Sequence, residues 1–153
     1  MAQKEMTILT NICMIYDKND RILVQDRKKK NWPGLTFPGG HIEKNESFVE
    51  STIREIYEET GLTISSLKLC GITQWTNLCG CRYIVICYKT NKFKGELKDS
   101  NEGHVFWIDK KDLFKYKLSE DLKEMFEVMD SETLSEFYSL RDDKEREILR
   151  KLL

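Results

Sequence analysis

The sequence predicts a mixed α/β fold, a sheet covered by helices, and three observations carry that reading. Apolar, β-branched runs of strand length recur from the N-terminus to Asp109, the segment Phe48 to Thr60 carries helix start and stop signals, and apolar residues return at helical spacing after Ser119. The chain has 153 residues, 40% of them hydrophobic, which suits one domain with a real core. Residues 1–153 are therefore read as a single domain, with 131–153 as a C-terminal helical extension.

Taken in order, "TILTNICMIY" and "RILVQD" are strand-like and separated by the turn-rich "DKND", which predicts a hairpin or a closely spaced strand pair. "RKKKNWPGLTFPGG" is basic, then rich in Pro and Gly, and predicts a loop with a short extended piece around Leu35 to Phe37. A helix from Phe48 to Thr60 follows, because Ser47 and Glu50 fit a capping box and Gly61 suits the left-handed position that ends a helix. Val49, Ile53 and Ile56 recur at four and three residues and predict its inward stripe. "LKLCGITQW" and "RYIVICYKT", joined by "TNLCGC", and then "HVFWID" predict further strands. Leu122, Met125, Phe126 and Met129 predict a helix, and the amphipathic, charged "DDKEREILRKLL" extends the helical pattern to the end, giving one or two terminal helices.

Composition excludes some functions. With 25 basic against 26 acidic residues, nothing marks a general binder of polymeric nucleic acid or membranes. No run reaches the length of a membrane span and the N-terminus lacks a secretory pattern, so the expected location is the cytoplasm. Cys13, Cys70, Cys79, Cys81 and Cys87 lack the spacing of a disulfide framework and read as reduced thiols. Cys79-Gly80-Cys81 reads as a cysteine-bearing turn before it reads as a metal or redox pair.

The expected helix carries Glu55, Glu58 and Glu59 three and four residues apart, on one face of its C-terminal half. Like charges at that spacing repel, and the helix dipole disfavours anions there, so a cation should offset them. Mg²⁺ or Mn²⁺ is suited to the task, since these hard ions take oxygen ligands and complete their shells with water and phosphate. The preceding Pro38-Gly39-Gly40 lets a backbone carbonyl approach such an ion. From the glutamates alone an exposed charged helix after a Gly-rich turn is the better explanation, but it does not explain the order of the whole segment.

That order is Gly40, five residues, Glu46, seven residues, Arg54-Glu55-Ile56, one residue, Glu58-Glu59, one residue, Gly61-Leu62. It resembles a complete Nudix box, whose specified positions would match by accident on the order of once in a billion starting points. The chain is similar to the Nudix hydrolases, and within them to the MutT-type enzymes, from the N-terminal strands through "NEGHVFWID" to the helix after it. The resemblance implies a sheet sandwiched between helices and Mg²⁺-dependent hydrolysis of a pyrophosphate bond in a nucleoside diphosphate linked to a further group. It implies that the Gly39 carbonyl and the carboxylates of Glu55, Glu58 and Glu59 bind metal, with Glu59 the first choice. By the same resemblance Glu102 in the "NEG" loop is a metal ligand or general base, so Glu58, Glu59 and Glu102 form the expected catalytic set. Arg54 and Glu46 are implied to hold the metal-binding glutamates in place. His41 and His104 flank the site without entering that set.

By position, Arg27, Phe37 and Arg82 resemble the residues with which MutT-type enzymes contact the nucleotide. Each also reads structurally, as a solvated loop residue, a core residue and an exposed strand residue respectively. Trp32 and Trp75 suit base stacking or a core edge alike. The purine-reading asparagine of that group has no counterpart in "KLSEDL", which offers Ser119. The implied substrate is a small nucleotide, a nucleoside triphosphate and for example an oxidised purine such as 8-oxo-dGTP. The alternatives are another nucleoside diphosphate derivative such as ADP-ribose, or a nucleotide-sensing module without turnover. A monomer and a homodimer are both compatible with the sequence.

Overall fold

Alternation along the first strand sends side chains to two sides. In β1 (Thr7–Ile15), Ile12 and Met14 join one apolar cluster, Cys13 and Ile15 another. The protein is described by a computed structural model covering residues 2–76, 80–144 and 146–153. After β1 come β2 (Arg21–Arg27), β3 (Gly34–Thr36), α1 (Phe48–Thr60), β4 (Leu62–Ser65), β5 (Lys68–Thr76), β6 (Arg82–Thr90), β7 (Lys92–Gly95) and β8 (Gly103–Asp109). A 3₁₀ turn (Lys110–Lys115), α2 (Leu122–Asp130), β9 (Glu136–Arg141) and β10 (Glu147–Leu152) complete the chain.

The main sheet has the order β1-β6-β5-β9-β10 and is mixed: β1 with β6 and β5 with β9 are parallel, the other neighbours antiparallel. A second, antiparallel sheet has the order β3-β2-β8, and β4 pairs with β7. Ile56 of α1 packs with Cys13, Ile15 and Ile86 on one side of the main sheet. Met125, Phe126 and Met129 of α2 pack with Ile12, Met14 and Val85 on the other. The result is the expected α/β/α sandwich.

The α1 ends follow their local signals. Ser47 Oγ accepts the Glu50 N–H at 3.1 Å and donates to the Glu50 carboxylate at 2.7 Å, while Gly61 at φ 76° donates its N–H to Tyr57 O. Its inner face departs from the expected stripe. Val49 is 42% exposed, and the buried residues are Ser51, Thr52, Ile56, Glu59 and Thr60. Small polar side chains let α1 approach β1 closely enough for Asn11 Nδ2 to donate to Ser51 Oγ at 3.0 Å, which a valine or isoleucine would prevent.

Two further expectations are corrected. Of the two readings of β1 and β2, the closely spaced strand pair holds and the hairpin does not: a Tyr16–Ile22 bridge joins them, but they belong to different sheets. The expected helical extension over 131–153 is a β-hairpin instead. Phe137 and Ser139 are fully buried at alternate positions of β9, and β9 closes the backbone edge that β5 would otherwise leave open. Asp142 turns the hairpin by accepting the N–H groups of Lys144 and Arg146. The short strands β4 and β7 were not anticipated, although Leu62 and Ile64 alternate with exposed neighbours. Cys13, Cys70 and Cys87 are free thiols, whereas Cys79, and with it the Cys79-Gly80-Cys81 pairing, lies outside the described residues.

Candidate active site

β1 holds the chain from Pro38 to Gly40 against itself. Asn11 and Cys13 donate their N–H groups to Gly40 O and Pro38 O at 2.8 and 3.0 Å, so the intervening Gly39 carbonyl turns to the other side of the extended chain. A side chain on Gly39 would run into backbone, and one on Gly40 would displace the Glu55 carboxylate. A Cβ on Gly39 would stand 2.2 Å from Asn11 O, and one on Gly40 would stand 2.3 Å from Glu55 Oε2. The glycines thus bring the backbone turn into contact with the acidic face of α1.

Glu59 is 6% exposed, and its Oε2 accepts the Gly39 N–H at 3.0 Å and Gln25 Nε2 at 3.3 Å. Burial pushes its carboxyl up to about 7; the Glu55 and Glu102 charges add to the rise, and the Gly39 N–H and Arg27 oppose it. Burial also raises Glu55, against the pull of Arg54. Arg54 gathers the acidic groups: its Nε and Nη2 bond the two oxygens of Glu46 at 2.6 and 3.0 Å, and Nη1 bonds Glu55 at 2.8 Å and Glu58 at 3.3 Å. That forked contact holds Glu46 down to about 2, and Nη2 further ties the cluster to His41 O.

One cavity of about 420 Å³ collects most of the expected residues. Gly39, Glu55, Glu59, Glu102, Arg27 and Phe37 line it. Trp32, Trp75 and Tyr83 line it as well, with Trp75 stacked on Tyr83 at 4.5 Å and tilted against Trp32 at 6.1 Å. Phe37 is at the same time core, 2% exposed and packed with Phe126. Glu46 and Arg54 stand behind the acidic cluster, bonded as described.

Two expected residues are not brought to the cavity. The Glu58 side chain is 56% exposed and touches the cluster through Arg54 alone among the bonds described above. Arg82 bonds Glu5 Oε2 at 2.8 Å and Gln74 Oε1, because its position on β6 turns it to the sheet face away from Tyr83, Val85 and the cavity. His41 reaches the cavity, whereas His104 bonds Asp99 at 2.9 Å outside it.

Sequence reasoning missed Asn11, Gln25 and Lys29. Asn11 supports both sides of the glycine turn, since its Oδ1 also accepts the Gly40 N–H at 3.2 Å. Lys29 Nζ sits 2.7 Å from Glu102 Oε2. A polar residue in the middle of an apolar strand, as in "TNICM" and "LVQD", was the available signal for the first two, because a buried amide needs a partner.

Among the described residues no three acidic, histidine or cysteine side chains close on one point as a ready-made metal cage. The donor set nevertheless fits a hard divalent ion. Glu55, Glu59 and Glu102 share the cavity with the turned-out Gly39 carbonyl, and such ions leave part of their shell to water and substrate phosphate.

Curated relatives include the Nudix hydrolase YvcI of Bacillus subtilis, 27% identical over 71% of this chain and 71% of its own length. Another is the ADP-ribose pyrophosphatase of Methanocaldococcus jannaschii, 32% identical over 60% of this chain and 57% of its own length. Among solved structures, the MutT protein of Bacillus halodurans superposes with a TM-score of 0.79 at 24% identity, covering 95% of this chain and 97% of that one, and so shares the fold. The family model described as NUDIX domain matches residues 6–129, and the chain accordingly belongs to the Nudix hydrolase family.

Proposed function

We propose that this protein is a Mg²⁺- or Mn²⁺-dependent pyrophosphohydrolase that converts a nucleoside triphosphate to the monophosphate and pyrophosphate. One observation carries the reading: the acidic groups Glu55, Glu59 and Glu102 line the same cavity as the stacked Trp75 and Tyr83, so a single pocket joins oxygen donors to a surface suited to a base. Glu55, Glu59 and the Gly39 carbonyl are the residues to hold the ion, while Glu58, outside the cavity, acts on it through Arg54. When bound, the ion neutralises phosphate oxygens and lowers the pKa of a water. Glu102 accepts the proton of the attacking water, and Arg54 with Glu46 keeps Glu55 aimed at the site. Arg27, whose buried Nε has no hydrogen-bond partner among the described residues, donates to phosphate. Cysteines in the thiol form, Cys13, Cys70 and Cys87, suit residence in the cytoplasm.

Among triphosphates, 8-oxo-dGTP is the first to test. A second reading, hydrolysis of ADP-ribose, is favoured by the Methanocaldococcus jannaschii relative. Chromatography of products from a nucleotide panel with Mg²⁺ separates them: monophosphate and pyrophosphate are expected from the triphosphate, AMP and ribose 5-phosphate from ADP-ribose. Binding without turnover in either metal would leave a sensing module and sink the enzymatic reading.

A further inference from the structure

Residues 131–153 lie beyond the matched stretch and do not line the cavity, yet Arg141 touches two residues that do, Trp75 and Glu120. β9 runs parallel to β5 with Ser139 opposite Trp75, and at its end the Arg141 guanidinium lies over the Trp75 ring, 5.8 Å from its centroid. The same guanidinium donates from Nη2 to Glu120 Oε1 at 3.1 Å and to Asp121 Oδ2 at 2.9 Å. From β10, Arg150 Nη2 donates to the other oxygen of Asp121 at 2.9 Å and its guanidinium covers Phe137 instead.

Asp121 needs this grip. Its side chain is 0% exposed, so its charge depends on partners within the protein, and its backbone sits at φ 66°, in the left-handed region that aspartate enters more readily than most non-glycine residues. The residues just before it, Ser119 and Glu120, are cavity wall. Arg141 therefore holds two walls at once, the aromatic one through Trp75 and the polar one through Glu120 and Asp121. The acidic groups come from α1 (Glu55, Glu59) and the loop before β8 (Glu102), which are not among these partners.

We propose that Arg141 is a positioning residue of the nucleotide site: the C-terminal hairpin, through Arg141, sets the spacing between Trp75 and the Ser119–Asp121 wall and so determines how tightly the base half of the substrate is held. This rests on the nucleotide-hydrolase reading above. Arg150 provides the internal control, because it makes an equal bond to Asp121 without touching Trp75 or Glu120.

The test uses the full chain as wild type, Arg141→Met and Arg150→Met, with steady-state kinetics on the best panel substrate, Mn²⁺ titration without nucleotide, and thermal melts. Both variants are expected to melt lower. Arg141→Met alone raises KM, by about tenfold, with kcat within about twofold of wild type and Mn²⁺ affinity unchanged. Arg150→Met leaves KM within about twofold. Should Arg141→Met fail to fold, Arg141→Lys carries the same comparison, since it keeps a charge beside Asp121 but not the flat guanidinium over Trp75. Equal KM in the three proteins, an equal rise in both variants, or a fall in kcat in place of a rise in KM overturns the proposal while leaving the enzyme reading intact. A wild type without turnover on the whole panel overturns that reading, and this proposal with it.

Discussion

α1 and α2 pack on opposite sides of the main sheet and bury opposite chemistries. α2 buries Leu122, Met125, Phe126, Val128 and Met129, whereas α1 buries Ser51, Thr52, Ile56, Glu59 and Thr60. The α2 face contributes burial at about 25 cal/mol per Å² of apolar surface. The α1 face spends contact area on a carboxylate whose charge is disfavoured there and on hydroxyls that need partners. The difference teaches that one helix is held chiefly by apolar burial, while the other is held against its own electrostatics, a cost that the proposed cation would offset.

The sharpest way to break that contrast is to exchange charge for a neutral isostere on α1. Glu59→Gln is expected to lower turnover on the order of 10³-fold while the metal-free protein melts no lower than wild type. Wild-type turnover in the variant, or in excess chelator, would show that Glu59 is not part of the chemistry. On α2 the outcome is reversed: Met129→Ala should cost about 2–5 kcal/mol by denaturant unfolding while the folded enzyme keeps its kcat. A loss of kcat with little loss of stability would mean that α2 is not the structural partner.

pH sharpens the same comparison. Glu59 titrates near 7 in the folded protein against an ordinary value of 4.5. Between those values the folded state keeps a proton that the unfolded chain has released. Stability in chelator should therefore fall as pH rises from 4.5 to 7 and level off above, by at most on the order of 3 kcal/mol. Glu46, held down to about 2 by Arg54, acts in the other direction, its contribution being present above 4.5 and lost as pH falls towards 2. Urea unfolding of wild type and Glu59→Gln at pH 5 and 7.5 reads the first effect, which the variant should lack. The smallest effect belongs to Arg82→Ala. Its partners Glu5 and Gln74 lie off the cavity, so stability and kcat/KM should move by no more than about 0.5 kcal/mol. A tenfold loss of kcat/KM, about 1.4 kcal/mol, would return Arg82 to the nucleotide site.

Legibility in the sequence follows the range of the interaction. The capping pair Ser47–Glu50, the stop at Gly61 and the approximate span Phe48 to Thr60 were readable, because helix ends are decided by hydrogen bonds a few residues long. The order from Gly40 to Leu62 sufficed to recognise the family, and apolar, β-branched runs between turn signals sufficed for β1, β2, β5, β6 and β8.

What only the tertiary structure decided involves partners distant in the chain. "DDKEREILRKLL" has the composition of a helix, yet the open edge of β5 captures β9, and β10 follows as its hairpin partner, since an unpaired strand edge outweighs a weak local propensity. Val49 faces out because α1 must come close to β1 at Asn11 and Ser51, forty residues apart. Arg82 is taken by Glu5, 77 residues away, and Arg141 meets Asp121 across 20. Of the three spaced carboxylates, the helix repeat puts all on one face, but burial under Gly39 and Gln25 selects Glu59, and no local pattern encodes which side of a helix another strand will cover.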